Sequence, residues 1–319
     1  MHSTFKTFVW GLCALAGTVA AQENYPSRPI TLVVPYAAGG STDQLGRALA
    51  DGLGRSLKQP VVIENKPGGN GTFGVLQMGR SKPDGYSLTM VPLSVFRQPY
   101  LQPVSYDPLK DLSYIATVAN YSYAIAVKQD AKWKTIRELV DDARARPDSI
   151  AYGSSALFSS NHLVMAELGR AAGIQWTHVP YKGDSESLAA LLGGHIQVVS
   201  STSTVLPFVQ SGKMRVLATG GETRPKDFPD APTLKEAGYP VVIASPLGIA
   251  GPAGLPAAIV EKLDGAIRKL MQEPEFVASV EKLGIELSYK DHVQYTQYAK
   301  AASAQEKTII ERLSKETQK

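Results

Sequence analysis

Apolar residues along the chain follow two alternating spacings, which predict alternating strands and helices. Short runs rich in β-branched residues, such as Ile30–Val34 and Val61–Ile63, have the composition of buried strands. Between them, Ser41–Gln59 carries a leucine at every fourth position from 45 to 57, which makes one apolar helix face. Ser41 and Gln44 fit a capping box at the start of this helix. The alternation favours an α/β fold.

The same two patterns continue to the end of the chain. Further strands are predicted at Ser87–Val91, Tyr121–Val127, Ser149–Tyr152, Thr177–Val179, Ile196–Val199, Arg215–Ala218 and from Ile249. Further helices are predicted at Thr135–Arg146, Asn161–Ala172, Glu186–Leu192, Pro256–Met271 and Val293–Leu313. The strands near 123–127 and 215–219 each end one α/β block and open the next, so we interpret them as two crossings between lobes. One lobe then comprises 22–125 and 220–319, and the other comprises 126–219.

The N-terminal segment, residues 1–21, is predicted to be a signal peptide. Lys6 precedes an uncharged apolar run that ends in Ala20 and Ala21, which suits cleavage after Ala21. The run, 7–21, is shorter than the roughly 18 residues of a membrane span. A buried N-terminal helix and an uncleaved signal anchor are the alternatives. Cleavage would remove Cys13, the only cysteine, so the mature chain would form no disulfide and carry no thiol.

Length and charge narrow the class of partner. The mature chain would have 319 − 21 = 298 residues, which is enough for two domains. Its formal charge would be +4 − 1 = +3, because only Lys6 is lost. Charges are interspersed along the chain, so we expect neither nucleic acid nor a membrane surface as a partner.

Two glycine- and serine-rich turns, 35–43 and 152–162, are the candidate binding elements. Each joins a predicted strand to a predicted helix start. Glycine lets backbone N–H groups approach a ligand, and a helix N-terminus adds about half a positive charge, so such a turn binds carboxylates without a cationic side chain. A plain strand–helix turn is the alternative interpretation of the first of these elements. Facing each other beyond the strand ends, the pair would hold an acid with oxygens at both ends.

A third glycine turn resembles a nucleotide-binding pattern. Gly69–Gly74 reads G-x-G-x-x-G, but three residues separate it from the preceding strand. The acidic residues that follow, Asp84 and Asp107, do not lie about 20 positions on, where the ribose contact belongs. We interpret this turn as a structural loop and expect no nucleotide cofactor.

Catalytic patterns are weak in this chain. Ser160, His162 and Asp184 would form a triad only if the fold assembled them, and the simpler interpretation places His162 in the first turn of a helix. The sequence contains neither G-x-S-x-G nor H-E-x-x-H. We therefore expect no enzymatic activity, no metal and no other cofactor.

Motifs along nearly the whole mature chain resemble the solute-binding proteins of tripartite tricarboxylate transporters, the Bug family. They are Tyr25–Ile30, Leu32–Tyr36, Gly39–Asp43, Glu64–Gly68, Pro83–Tyr86, His178–Gly183, Leu192–Gly194, Ser211–Arg215, Arg224, Pro229–Thr233 and Glu236–Gly238. The resemblance implies a type II periplasmic-binding-protein fold, in which two α/β lobes joined by two crossover strands close around a central cleft. It also implies a periplasmic receptor that delivers a small carboxylate to a membrane transporter of two integral subunits. We further expect a monomer.

The resemblance also implies which residues bind the ligand, because this family holds the carboxylate through backbone amides and ordered water at these turns. The expected ligand-binding residues are Tyr36, Ala38, Gly39, Gly40, Ser41 and Asp43 from the first turn, Ser154, Ser155, Phe158, Ser160, Asn161 and His162 from the second, and Ser201 and Ser203. Asp43 is expected to cap its helix rather than touch an anion, because two negative charges repel. Tyr181 and Lys182 are expected to border the cleft.

The chain departs from the family pattern in ways that bear on the ligand. Gln197 and the hydroxyl residues 200–204 stand where the family commonly has acids, which removes negative charge near the cleft and favours a purely acidic ligand. Phe158 adds a ring that either stacks on an aromatic ligand or packs within its lobe. An aromatic dicarboxylate such as terephthalate is one candidate; an aliphatic dicarboxylate and a monocarboxylate are the others. A ligand-presenting sensor accessory and a periplasmic hydrolase are the alternative functions.

Overall fold

The structure is a computed structural model that describes residues 25–243 and 245–317. The strands are β1 (Ile30–Val34), β2 (Val61–Asn65), β3 (Ser87–Val91), β4 (Leu112–Tyr121), β5 (Ala124–Lys128), β6 (Ala151–Ser154), β7 (Thr177–Pro180), β8 (Val198–Ser201), β9 (Met214–Thr219), β10 (Ser245–Pro252) and β11 (Glu286–Lys290). The helices are α1 (Ser41–Leu57), α2 (Phe73–Met78), α3 (Ser94–Leu101), α4 (Ile136–Ala145), α5 (Ser160–Ala172), α6 (Asp184–Leu192), α7 (Leu206–Gln210), α8 (Ala257–Leu270), α9 (Pro274–Glu281) and α10 (His292–Thr317). The predicted signal peptide, 1–21, and Cys13 lie outside the described residues.

The strands form two mixed sheets, which confirms the predicted α/β class. The first sheet has the order β11-β4-β10-β3-β1-β2, with β1 parallel to β2 and β3, and with β10 antiparallel to β3 and β4. The second has the order β7-β6-β8-β5-β9, with β6 parallel to β7 and β8, and with β5 antiparallel to β8 and β9.

The chain changes sheets twice, between β4 and β5 and again between β9 and β10. The backbone N–H of Gly220 donates to the carbonyl of Tyr123 at 2.8 Å, so the two crossings lie side by side. The predicted single strand Tyr121–Val127 is wrong, because the strand breaks at 122–123 and its halves pair in different sheets. The lobe boundaries at 125/126 and 219/220 stay a prediction.

Helix α1 has the apolar face that its leucines predict. Leu45, Leu49 and Leu53 are buried, and the helix packs tightly on α8. At Gly52 an added Cβ would lie 2.3 Å from a methyl carbon of Leu270, so only glycine allows this approach. The predicted capping box is wrong. Gly40 is the N-cap residue and makes no side-chain cap, which leaves Ser41 inside the helix as its first residue.

The sequence patterns missed several elements around the first sheet. Strand β4 is buried almost along its whole length, so it lacks the alternation that marks a half-exposed strand. Helix α3 is short and contains Pro99, which disguises its helical pattern. Helix α9 and strand β11 were also missed. Of the helices described within 25–317, none is both long and apolar enough to cross a membrane.

Candidate ligand-binding site

A narrow cavity of about 40 Å³ lies where connections from both sheets meet. Its lining combines hydroxyl-bearing side chains with a few apolar ones. The lining residues are Tyr36, Gly40, Ser41, Thr42, Pro92, Leu93, Ser94, Tyr121, Tyr123, Ser155, Ser159, Ser160, Asn161, Asp184, Thr202, Ser245 and Leu247.

Four helices begin at this cavity. Ser41, Ser94, Ser160 and Asp184 are the first residues of α1, α3, α5 and α6, and all four line it. The first N–H groups of a helix have no acceptor within the helix, and its dipole makes that end positive. Of the lining residues that the structure describes, none is Lys, Arg or His. Any positive potential that the lining offers an anion therefore comes from main-chain N–H groups.

The first turn is held by the buried carboxylate of Asp43. One oxygen accepts the N–H of Gly39 at 2.9 Å and the Nε–H of Arg47 at 3.0 Å; the other accepts the Nδ2–H of Asn65 at 2.9 Å. Burial acts to raise the pKa of Asp43, but the hydrogen bonds from Arg47, Gly39 and Asn65 outweigh it and lower that pKa. Asp43 is therefore ionised and fixes the turn from behind, outside the cavity lining.

The second turn repeats this plan with different chemistry. His162, three residues into the helix like Asp43, accepts the N–H of Phe158 on Nδ1 at 2.7 Å. Phe158 has a φ of 57° and Gly39 a φ of 84°, so each turn passes through the left-handed region just before its N-cap residue. That N-cap is Ser159, whose hydroxyl accepts the N–H of His162 at 3.4 Å.

A stack of rings supports the second turn. The His162 and His178 rings lie 3.9 Å apart between centroids and are inclined by 17°. Burial, then the neighbouring charges of His178 and Arg97, lower the pKa of His162 to about 3. Burial lowers the pKa of His178 to about 4. Both imidazoles are thus neutral at pH 7, and His178 Nε2 lies 2.7 Å from the hydroxyl of Ser154.

The residues of the hypothetical triad make their hydrogen bonds to other partners. The Ser160 hydroxyl accepts from that of Ser245 at 3.2 Å, and His162 holds the Phe158 N–H. Asp184 accepts the hydroxyl of Thr202 at 2.6 Å. This arrangement matches the simpler interpretation of His162 as a residue of the first helical turn.

Tyrosine hydroxyls from the crossing and the first turn complete the wall. The Tyr121 hydroxyl donates to that of Thr42 at 3.3 Å. The Tyr123 hydroxyl hydrogen-bonds Ser245 and Ser160. Burial raises the pKa of Tyr36 to about 12 and that of Tyr123 further. These phenols are neutral hydrogen-bond donors at pH 7.

Direct contacts join the two sides of the cavity. The N–H of Ala37 donates to the carbonyl of Lys182 at 3.3 Å, and the Ser185 hydroxyl donates to the carbonyl of Ala38 at 3.3 Å. Arg97, on α3, donates from Nη1 to the carbonyl of Phe158 at 2.5 Å. The turn after β7 thus meets the first turn directly. Tyr181 and Lys182 are not among the residues that line the cavity, and their place at the border of the cleft stays a prediction.

Six of the expected binding residues line the cavity: Tyr36, Gly40, Ser41, Ser155, Ser160 and Asn161. The other eight do not. Ala38 and Gly39 are exposed. Asp43 and His162 accept hydrogen bonds that hold the two turns, and Ser154 hydrogen-bonds His178. Phe158 packs on His162, Ser201 hydrogen-bonds Thr204 at 3.0 Å, and Ser203 packs against Gly284.

Several lining residues were missed, and most of them come from segments outside the two candidate turns. They are Thr42, Pro92, Leu93, Ser94, Tyr121, Tyr123, Ser159, Asp184, Thr202, Ser245 and Leu247. The signal in the sequence that could have identified some of them is their position near a predicted helix start or strand end, as for Ser94 and Asp184. One acidic side chain does reach the site, because Asp184 lines the cavity and is only 6% exposed.

Comparison with known proteins agrees with this architecture. The family described as "Tripartite tricarboxylate transporter family receptor" matches residues 45–315. The UPF0065 protein of the gbd 5′ region of Cupriavidus necator is 43% identical over 96% of this chain and 94% of its own length. MatC from Rhodopseudomonas palustris, solved with bound malate, is 25% identical, with a TM-score of 0.84 over 90% of this chain and 100% of its own.

A second R. palustris structure, a protein with adipate, is 27% identical, with a TM-score of 0.86 over 90% of this chain and 97% of its own. Both structures are similar to this chain along nearly its whole described length, which agrees with the two-sheet fold. The chain belongs to the tripartite tricarboxylate transporter family receptors.

Proposed function

We propose that this chain is a periplasmic receptor that binds a small organic carboxylate and delivers it to the membrane subunits of a tripartite tricarboxylate transporter. One observation carries the proposal: four helix N-termini meet at a cavity whose described lining holds no cationic side chain. Such a site suits an anion bound by N–H and O–H donors. The malate and adipate bound by the two structural relatives support the same ligand class.

The chemistry of the lining favours a carboxylate with an apolar body. Pro92, Leu93 and Leu247 contribute the apolar surface, and the hydroxyls of serines and tyrosines surround it. An aromatic dicarboxylate such as terephthalate stays a candidate alongside an aliphatic dicarboxylate and a monocarboxylate. Its support is now the rings of Tyr36, Tyr121 and Tyr123 rather than Phe158, which packs on His162.

The mechanism we propose is closure of two lobes about the paired crossings. One lobe comprises 22–125 and 220–319, and the other comprises 126–219. The crossings lie side by side through the Gly220–Tyr123 hydrogen bond, so small backbone rotations there would open the cavity. We also propose that the chain is exported with cleavage after Ala21 and is a monomer. Its partner would be a transporter of two integral subunits.

We propose no enzymatic role for this chain. The Ser154 hydroxyl, which lies beside the His178 ring, is unsuited to hydrolysis because Ser154 is 0% exposed and also donates to the carbonyl of Ala156 at 2.9 Å. A hydroxyl so placed cannot reach a substrate carbonyl.

Thermal unfolding with a ligand panel tests the proposal. The chain from Gln22 to Lys319, refolded to remove any retained ligand, is heated with adipate, malate, terephthalate or benzoate, and with the neutral adipamide as a control. At ligand about 100 times its dissociation constant, a bound acid stabilises by roughly 2.7 kcal/mol, which raises Tm by several degrees. Adipamide should have no effect. No shift with any acid, or an equal shift with adipamide, would refute the proposal.

Hydrolysis of an ester panel and co-purification with membrane subunits separate the alternatives. Turnover that depends on Ser154 would favour the hydrolase. Capture of a signalling receptor rather than transporter subunits would favour the sensor accessory.

A further inference from the structure

Asp184 brings a carboxyl group into the proposed anion site. It lies at the start of α6, and its Oδ2 accepts the N–H of Thr202 at 3.3 Å and the hydroxyl of Thr202 at 2.6 Å. Its Oδ1 accepts Nδ2–H of Asn161 at 3.3 Å, and the hydroxyls of Ser41 and Ser201 also hydrogen-bond the group. Asp184 therefore occupies donors that an incoming carboxylate needs.

The other titratable groups around Asp184 do not neutralise it. Tyr36, from the first turn, and Tyr121 and Tyr123, from the crossing, line the same cavity, and the charge of Asp184 contributes to raising the pKa of each. On its own helix, Glu186 is exposed and accepts the N–H of Lys182, whose side chain is also exposed.

The nearby buried cation is already matched by another acid. Arg97 donates from Nε and Nη2 to the two oxygens of Glu306, at 2.5 and 2.8 Å. Behind the first turn, the more exposed Arg47 is paired with Asp43. The described lining thus offers no cationic side chain to offset the repulsion between an entering carboxylate and the carboxylate of Asp184.

Two carboxylates in one desolvated site cannot both stay ionised, so one of them takes up a proton. Burial, the largest influence, raises the pKa of Asp184 even against the hydrogen bonds from Thr202, Ser201 and Ser41. A small free carboxylic acid has an ordinary pKa near 4 and is ionised at neutral pH. The group that receives the proton is therefore Asp184.

Building on the proposed function, we infer that Asp184 is a specificity-determining residue that contacts the bound carboxylate and shares one proton with it. The proton comes from water and goes to a carboxylate oxygen of Asp184; no covalent bond within the ligand changes. The site then prefers a purely acidic ligand, because a ligand ammonium in this position would need Asp184 ionised instead.

Binding affinity measured against pH tests this assignment. The probe is whichever of adipate, malate and terephthalate gives the largest melting shift, and the range is about pH 6.5 to 9, where these acids are ionised. In the unsubstituted chain, affinity should fall by up to about tenfold per pH unit once ligand-free Asp184 ionises. Asp184→Asn keeps the shape and donates an N–H, so its affinity should not change with pH and should exceed that of the unsubstituted chain at pH 9.

Glu186→Gln is the matched control, because it removes the same charge from the same helical turn outside the cavity. It should follow the unsubstituted chain at every pH. The same pH dependence in the unsubstituted chain and in Asp184→Asn would overturn the assignment. Loss of acid binding by Asp184→Asn at all pH values would also overturn the assignment. So would glutamate binding that is tighter than adipate binding and depends on Asp184, because Asp184 would then pair with the ammonium of the ligand.

Proton counting covers the case in which Asp184→Asn does not fold. Calorimetry of the unsubstituted chain in two buffers of different ionisation enthalpy measures protons taken up per ligand. Uptake that rises toward one proton between about pH 7 and 9 supports the assignment, and zero uptake across that range overturns it. Failure of every acid to bind at any pH would instead refute the proposed function.

Discussion

The two turns that meet at the cavity share one backbone plan but are held by opposite chemistry. In each, a residue with positive φ precedes the N-cap, and a side chain four positions later accepts that residue's N–H. In the first turn the acceptor is the ionised Asp43, paired with Arg47. In the second it is the neutral imidazole of His162, stacked on His178. Two turns of one chain can therefore share the same backbone geometry and still differ in how they respond to charge and pH.

The second turn also depends on a cation from the other side of the cavity, and removing it should have the largest effect. Arg97→Leu leaves Glu306 buried without a partner, and both residues are under 5% exposed. Loss of one member of a buried pair lowers the free energy of unfolding by about 3–5 kcal/mol. Urea denaturation at pH 7 measures this change.

The double variant Arg97→Leu/Glu306→Leu is the control for Arg97. Because it leaves no buried charge, it should recover much of the lost stability. Any remaining weakness in ligand binding would then reflect the missing Arg97–Phe158 contact between the two sides. A single variant as stable as the unsubstituted chain would contradict this account.

Acid should loosen the second turn before the first. The folded pKa values of His162 and His178, about 3 and about 4, lie below the ordinary 6.5, so their contribution to stability is complete above pH 6.5. As pH falls, this contribution declines by up to about 1.4 kcal/mol per pH unit for each imidazole, because the histidines of the unfolded chain bind protons at a higher pH than those of the folded chain. The lowered pKa of Asp43 preserves its contribution until pH falls below about 4.

Amide exchange at Gly39 and Phe158 resolves the two turns. Between pH 7 and 5, after correction for intrinsic rates, protection of the Phe158 N–H should fall more than that of Gly39. His162→Asn/His178→Gln should flatten the decline of stability with acid, whereas His195→Asn, at an exposed histidine, should not. Equal loss of protection in both turns would show that their difference in chemistry has no consequence.

The smallest effects on stability are expected at Gly39 and Phe158, the residues with positive φ in the two turns. Gly39→Ala places a Cβ in the left-handed region and should lower the free energy of unfolding by about 1–2 kcal/mol. Phe158→Gly relieves a similar strain but loses ring packing on His162, so its net change should stay within about 1 kcal/mol. Thermal unfolding compares them, and a Phe158→Gly loss of several kcal/mol would mean that packing dominates this turn.

The sequence predicted the local parts of this molecule better than the long-range ones. The α1 leucines, the α/β alternation and the two turns follow from short patterns, and the family resemblance identified the fold. The first crossing was predicted near 123–127 within one continuous strand, yet nothing local marks 122–123 as the point where that strand breaks and the chain changes sheets. Helix α3 was hidden by its length and by Pro99.

The site was predicted in part for the same reason. Gly40, Ser41, Ser160 and Asn161 belong to the turns that their composition marks, and they line the cavity. Tyr123 and Ser245 reach it from distant segments, so only the folded chain brings them beside Ser160. Asp184 was weighed only as a member of a triad, because a single acid after Gly183 gives no sign that it will be buried.

A crystal structure with bound adipate tests the central claim most directly, namely that main-chain donors at helix starts bind the anion. The account predicts a ligand carboxylate inside the cavity, with oxygens about 2.7–3.2 Å from backbone N–H groups of the first residues of α1 and α5, directly or through one water. Adipate bound outside this cavity, or bound within it by side chains alone with those N–H groups unused, would contradict the account.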